Sequence, residues 1–487
     1  MRAWCFELVL AREQNPVSKE TRDPALPLGS PPPVVLPMQS ALFALALLAP
    51  LASAADLWVG PVGSGLPYSE IQSAVDAAAP GDRVFVIAGT YGPVSIDREI
   101  QLSGDGSGVT RIVGLADANG AGQPALQVRD IAAHEHVWIN GFEFAVDDSA
   151  TTPSGSLARF TDLEGSLELC DLKVFRNQLD ATAPGGDGAY LHFDNCPRVL
   201  GSDVRVITED VPQLASAALA PFAALRATNS TMSFSDSRFD AAHTPASIAG
   251  LEISGSSAIE LANSSLALGL TTVYGGHRGT QGQSANVHAG DGIRAIGSAV
   301  RIHGGKSNGV FGGHSSHVEG PGLAAAGAAI RLDGASSLEY ASDVQLAGGK
   351  DADNQVAQAI EAESGAHVTA RADRLPTMWV GPPIGQLGIA HTIFLEGDVG
   401  GVHLWWLALR AGPPLQFPGI AGTWWLESGF LIHHPAIVIP PSGIASQQVP
   451  IGHATGLLGL ALFYQSLELD GANVQFALPW FASIELY

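Results

Sequence analysis

Along the middle of the chain, apolar residues recur in pairs with one residue between them. Leu126/Val128, Val137/Ile139 and Phe142/Phe144 form one set. Leu251/Ile253, Ile259/Leu261 and Leu266/Leu268 form another, and Ile330/Leu332, Leu338/Tyr340 and Val344/Leu346 a third. Period-two alternation sends each pair to one side of a short strand. Each set therefore reads as three strands that cannot bury their apolar side alone. Copies also begin near Ala158, Leu191, Leu225, Ile293 and Ile360, and the copy at Leu191 is irregular around Pro197-Arg198-Val199. Stacking such units closes a common core, with unequal insertions leaving as loops. The pattern predicts an all-β chain: a right-handed parallel β-helix of three short strands per coil over residues 55–374. Leu251, Ile253, Ile259, Leu261, Ile330 and Leu332 are expected in its core.

Both ends break the pattern. Ser69-Glu70-Ile71-Gln72 has capping-box spacing, with Ile71, Val75 and Ala78 on one face and Pro80-Gly81 as a stop. This predicts one short helix covering the first coil. Residues 375–487 hold Trp379, Trp405, Trp406, Trp424, Trp425 and Trp480, six of the nine tryptophans, among short β-rich runs such as GTWWLES. They are expected to form a separate small antiparallel β-domain that folds as its own unit and covers the last coil. Neighbours on a strand face opposite ways, so Trp405/Trp406 and Trp424/Trp425 should each split between inside and outside.

Composition changes the picture mainly through compartment. The formal net charge is -23, and charged residues make up 15% of the chain. This argues against a nucleic-acid partner and against attraction to anionic lipid. Residues 38–54 carry the apolar run ALFALALLAPL before Ala52-Ser53-Ala54 and read as a secretory signal peptide, although no Lys or Arg lies between Met38 and that run. Residues 1–37, with Pro31-Pro32-Pro33, read as an unstructured extension or a misplaced start. After cleavage no membrane span is expected, and the mature chain is placed outside the cell or in the periplasm. Cys170 and Cys196 remain, either as one disulfide or as two small buried residues.

Ile71-Gln72 through Ala74-Val75, Pro80-Gly81-Asp82, Val84, Val86 and Gly89-Thr90-Tyr91 resemble the entrance to pectin lyase-like β-helix proteins. Asp291-Gly292-Ile293 with Gly297-Ser298, Val300 and Ile302 is similar to their coils. The resemblance implies the fold; it does not choose among lyases, hydrolases, esterases and non-catalytic adhesins.

Motifs for chemistry are sparse. Gly305-Lys306-Ser307-Asn308-Gly309 spells GxSxG, but a nucleophile elbow needs a strand-to-helix turn in an α/β sheet. Asp351-Ala352-Asp353-Asn354 lacks the glycine and distal glutamate of a calcium loop. Asp187 and Asp291 each follow a glycine before a first strand, and Asp291-Gly292 resembles part of a polygalacturonase motif whose Gly-His-Gly partner is broken at His314. Three coils separate the two, about 14 Å at ~4.8 Å per coil, beyond the roughly 5–9.5 Å of glycosidase carboxylates. They read as turn-closing residues. His277, His288, His303, His314 and His317 lie in Gly-rich stretches that could converge on one corner, but no metal-ligand spacing accompanies them. No metal or cofactor is expected.

The residues between the first-strand pairs should form an outward stripe: Gln127, Arg159, His192, Arg226, Glu252, Arg294, Arg331 and Glu361. The second-strand stripe is Trp138, Glu168, Ser233, Glu260, Arg301, Glu339 and Thr369. The first is net positive on an acidic chain. Guanidinium forks suit carboxylate or sulfate groups. Arg159, His192, Arg226, Arg294 and Arg331 are thus the candidate ligand-binding residues, for an acidic polysaccharide or cell-surface glycan. The alternative is a solvated ladder in which Arg226, Glu252 and Arg294 neutralise one another. No catalytic residues are assigned. The sequence reads as a non-catalytic surface module, with a polysaccharide lyase or glycoside hydrolase as its rival.

Overall fold

The computed structural model describes residues 54–115, 123–146, 156–176, 189–208, 223–241, 255–279, 289–304, 308–316, 325–351, 353–372, 375–381, 384–453, 460–471 and 473–485. The proposed signal peptide and the residues before it, Leu251, Ile253, Asp187, His288, His317 and Lys306-Ser307 lie outside them.

From Asp56 to Arg371 the chain is a parallel β-solenoid. First strands stack in a nine-stranded sheet from Val94–Ile96 to Ile360–Ala362, every pairing parallel. Second and third strands form a continuous seventeen-stranded sheet. Alternation places Val128, Ile139, Phe144, Ile259, Leu261, Ile330 and Leu332 in one buried column-like core. Phe160 and Phe193 stack inside it with ring centroids 4.8 Å apart.

One coil is phased differently from the sequence reading. Ile259 and Leu261 pair with Leu225 and Ala227, so they are first-strand residues rather than second-strand ones. Leu266 and Leu268 then occupy the second strand, beside Met232 and Phe234. The apolar pairs at 251–253 and 259–261 look alike in sequence, and only the register chooses between them.

The bend from first to second strand needs one left-handed residue per coil. Asp130, Asp162, Asn195, Asn229, Asn263, Gly297 and Gly334 supply it, with φ between 50° and 62°. These side chains, or none, tolerate that conformation at least cost. After Asn195, Asn229, Asn263 and Gly297 the next residue, and after Gly334 the second, points inward and ties coils together. The backbone N–H of Cys196 donates to Ser230 Oγ (3.0 Å), Ser230 N–H to Ser264 Oγ (3.1 Å), Ser264 N–H to Ser298 Oγ (3.0 Å) and Ser298 N–H to Ser336 Oγ (3.2 Å).

A second axial column is built from glycine. Gly290 donates to Gly276, Gly313 to Gly290, Gly327 to Gly313 and Gly349 to Gly327, at 2.8–3.0 Å. A Cβ on Gly290, Gly313, Gly327 or Gly349 would collide with a neighbouring carbonyl oxygen, which is why this corner is glycine.

The helix Ile71–Ala77 packs Ile71, Ala74 and Val75 into the first coil. The expected capping box does not form, since Glu70 is the N-cap and makes no side-chain cap bond. Gln72 instead accepts the Ser95 N–H (2.7 Å) and donates to the Ser95 carbonyl (3.2 Å), satisfying the edge of the nine-stranded sheet.

Residues 377–485 are largely antiparallel. Thr377–Gly381, His391–Glu396 and Ile444–Val449 make one sheet, and Val402–Ala408, Ala461–Asp470 and Trp480–Glu485 centre another. This lobe covers the flank of the solenoid instead of its end. Outward-facing Trp138, Cys170 and Leu200 share a buried cluster with Trp425, Phe463 and Phe481, while His367 to Ala370 of the last coil are exposed. Trp405 is buried and Trp406 half-buried on the opposite face. Trp424 and Trp425 are both buried, contrary to the expected split, because Trp406 and Phe476 cover one face of their strand and the solenoid flank the other. No helix among the described residues is long and apolar enough to cross a membrane.

Candidate binding faces

The nine-stranded sheet carries the predicted stripe in unbroken register: Gln127, Arg159, His192, Arg226, Glu260, Arg294, Arg331, Glu361. Glu260 stands where Glu252 was expected, a consequence of the shifted coil, and leaves the second-strand stripe. All five candidate residues share this face. Most of the charge is paired along it. Arg226 reaches Glu260 at 2.7 Å, Arg294 reaches Asp333 at 2.9 Å, and Arg331 bridges Asp291 (2.7 Å) and Glu361 (2.8 Å). Asp291 also accepts the Ala328 N–H at 2.8 Å, a bond to the next coil rather than the closing of its own turn.

Sequence reading missed a second cationic column, on the third strands. Register aligns Arg111, Glu143, Lys173, Arg205 and Arg238 in successive coils. Glu143 accepts from Arg111 at 2.8 Å and lies 3.6 Å from Lys173. Arg205 pairs with Asp203 and Arg238 with Asp240, each at 2.7 Å. The acids lie beneath and the cations outside: side-chain exposures are 9%, 16% and 8% for Glu143, Asp203 and Asp240, against 42%, 35%, 57% and 52% for Arg111, Lys173, Arg205 and Arg238. Burial, with Asp171 and Asp236 nearby, pushes the Asp203 carboxyl up despite Arg205, and burial does the same to Asp236. Beyond Arg238 the column continues to Thr272 and Gly309, while Tyr274 and Phe311, in register with Asp240, stack 5.0 Å apart beside it, with the Arg238 guanidinium 5.4 Å over the Tyr274 ring.

The second-strand face is divided. The lobe buries Trp138 and Glu168. Farther along, Ala267, Arg301 and Glu339 align in the floor of an open cleft of about 320 Å³, walled by residues of 416–423. Glu339 accepts from Arg301 at 2.7 Å and from Arg371 on its other oxygen.

Of the five histidines that could converge on one corner, His288 and His317 lie outside the described residues. His303 is buried, its Nδ1 2.9 Å from the Pro376 carbonyl, and burial with the nearby Arg301 charge lowers it to about 3. His277 and His314 stack 4.9 Å apart. Among the described residues no three His, Cys, Asp or Glu groups could hold a metal ion. Ser466, His403 and Glu468 lie within 3.2 and 3.4 Å of one another in sequence of contact, but all three are fully buried in the lobe, where substrate has no access. Cys170 and Cys196 are buried and not joined to each other, and burial pushes the Cys196 thiol up to about 12.

No family model matches the sequence, and no curated protein is similar to it. Among solved structures the chain is similar to a pectin methylesterase from carrot, at 11% identity and a TM-score of 0.28, over 63% of this chain and 88% of that one. A likeness this distant bears on no residue's role.

Proposed function

We propose that this chain is an extracellular β-helix that binds an extended acidic glycan lengthwise on its outward cation columns, without turning it over. The observation that carries the reading is the third-strand column, where Arg111, Lys173, Arg205 and Arg238 stand at the surface over buried acids. Coils repeat every ~4.8 Å, close to the length of one sugar ring, so successive cations can meet successive carboxylate or sulfate groups. The nine-stranded face with Arg159, His192, Arg226, Arg294 and Arg331 is the second track, favoured by its continuity over eight coils. Binding rather than catalysis is supported by the state of the carboxylates on these faces: Glu143 is held by Arg111, Glu260 by Arg226, and Asp291 by Arg331 and the Ala328 N–H.

The test is retention of residues 54–487 on uronate and sulfated-glycan matrices, run beside an absorbance assay for uronate lyase. Arg205→Ala with Arg238→Ala should reduce retention at least tenfold, and Arg159→Ala with Arg294→Ala identifies a contribution of the other face. Salt should weaken binding, since exposed charges are screened beyond about 8–10 Å. Retention unchanged in both double variants, or turnover in the lyase assay, would overturn the reading.

A further inference from the structure

The cleft beside the lobe has a chemistry unlike either cation column. Its floor consists of outward residues from three successive coils in two rows: Ser265, Ala299 and Ser337, and beside them Ala267, Arg301 and Glu339. Four of these six side chains are Ala or Ser, so the floor is recessed. The wall is the turn bearing Gln416, Phe417 and Thr423. Phe417 is 42% exposed although its ring lies 5.9 Å from Phe476. Gly422, at φ 89° in a region denied to most side chains, brings this turn against the solenoid: a Cβ there would sit 3.1 Å from Arg301 Nη1 and 2.9 Å from the Phe476 carbonyl.

Charge inside the cleft is balanced. Arg301 and Glu339 satisfy each other through Nε at 2.7 Å, and Glu339 is also tied to Arg371. The other polar groups are hydroxyls and an amide, each able to donate and to accept. An aromatic face stands opposite them. A ligand matching this set is uncharged, carries several groups that both donate and accept, and has one apolar C–H face. The volume, about 320 Å³, is at the small end of ligand sites, roughly 300–1,000 Å³.

We propose that this cleft is a separate site for one or two rings of a neutral saccharide, stacked on Phe417 and hydrogen-bonded by Ser265, Ser337, Gln416 and Thr423. It goes beyond the polymer-binding reading, shares no residue with it, and stands if that reading fails.

The experiment is saturation-transfer NMR and calorimetry on residues 54–487 with cellotriose, maltotriose and a β-1,4-galactotriose as probes. At least one should bind, with transfer concentrated on the ring protons of one or two residues. Phe417→Ala should weaken it tenfold or more. Ala299→Phe, at an exposed floor position, should fill the cleft and abolish it. Neither variant should alter the melting temperature by more than a few degrees or change retention on a uronate matrix. Absence of binding by all three probes, or binding unchanged in Ala299→Phe, would overturn the proposal.

Discussion

The backbone N–H of Cys196 donates to the hydroxyl of Ser230 at 3.0 Å, one coil along the solenoid, and Ser230 repeats the relation with Ser264. Each of these hydroxyls also donates to a carbonyl two residues back in its own turn, as Ser230 does to Thr228 and Ser264 to Ala262, both at 2.8 Å. Removing one hydroxyl therefore strands a buried N–H. Ser264→Ala should cost about 1–3 kcal/mol, read as a lower midpoint in urea. Cys196→Ser, which restores the serine of the ladder, should leave the midpoint unchanged or raise it. A Ser264→Ala midpoint equal to wild type would count against the ladder.

The left-handed turn gives a contrast at one position. Asn263 has φ 50°. Asn263→Ala places a Cβ residue there at roughly 1–2 kcal/mol, whereas Asn263→Gly should stay within about 1 kcal/mol of wild type. Equal losses in the two variants would mean that side-chain contacts, and not backbone conformation, fix this residue.

Acid should loosen the fold through its buried imidazoles. His303 is lowered to about 3, mainly by burial, and His391 and His434 to about 4, also by burial. In the unfolded chain each returns to 6.5 and takes up a proton below that pH. Between 6.5 and about 4 the unfolded state binds more protons, so stability falls as pH is lowered through this window. Melting followed by circular dichroism at steps from pH 7.5 to 4.5 should show a steady decline. His303→Asn, which keeps a donor for the Pro376 carbonyl, should remove part of that slope; an unchanged slope would exclude His303 as a contributor.

The lobe and the solenoid flank should unfold together. Trp138 meets Phe463 and Phe481 edge-on, with centroids 6.3 and 6.0 Å away. Phe481→Ala should cost about 3–5 kcal/mol and shift both near-ultraviolet and backbone signals in one transition. Proteolysis near residues 375–385 should not release a stable C-terminal piece. Recovery of a folded fragment would show that the lobe needs no flank.

The parallel β-helix was legible because alternation repeats in every coil: Leu126/Val128 and Ile330/Leu332 say the same thing far apart in sequence. The turn ladder was present too, as Asn195-Cys196, Asn229-Ser230, Asn263-Ser264 and Gly297-Ser298 at an equal spacing of 34 residues, though the apolar pairs drew the reading past it. Register across unequal loops was not legible. It misplaced Ile259/Leu261, exchanged Glu252 for Glu260, and hid the alignment of Arg111, Lys173, Arg205 and Arg238. The lobe's docking on Trp138 and Leu200 was equally hidden, because an outward Trp on a strand does not name its cover. The cleft wall at Phe417 depends on that docking.

The axial glycines from Gly276 to Gly349 form a bundle in which chain leaving a coil and chain returning to it alternate, bonded backbone to backbone. Whatever lies between Gly276 and Gly290, or between Gly313 and Gly327, begins and ends at adjacent points on this bundle. Its length can change without altering the rise or phase of the coils. The corner thus works as a splice junction, where segments of new sequence can be exchanged on an unchanged rod.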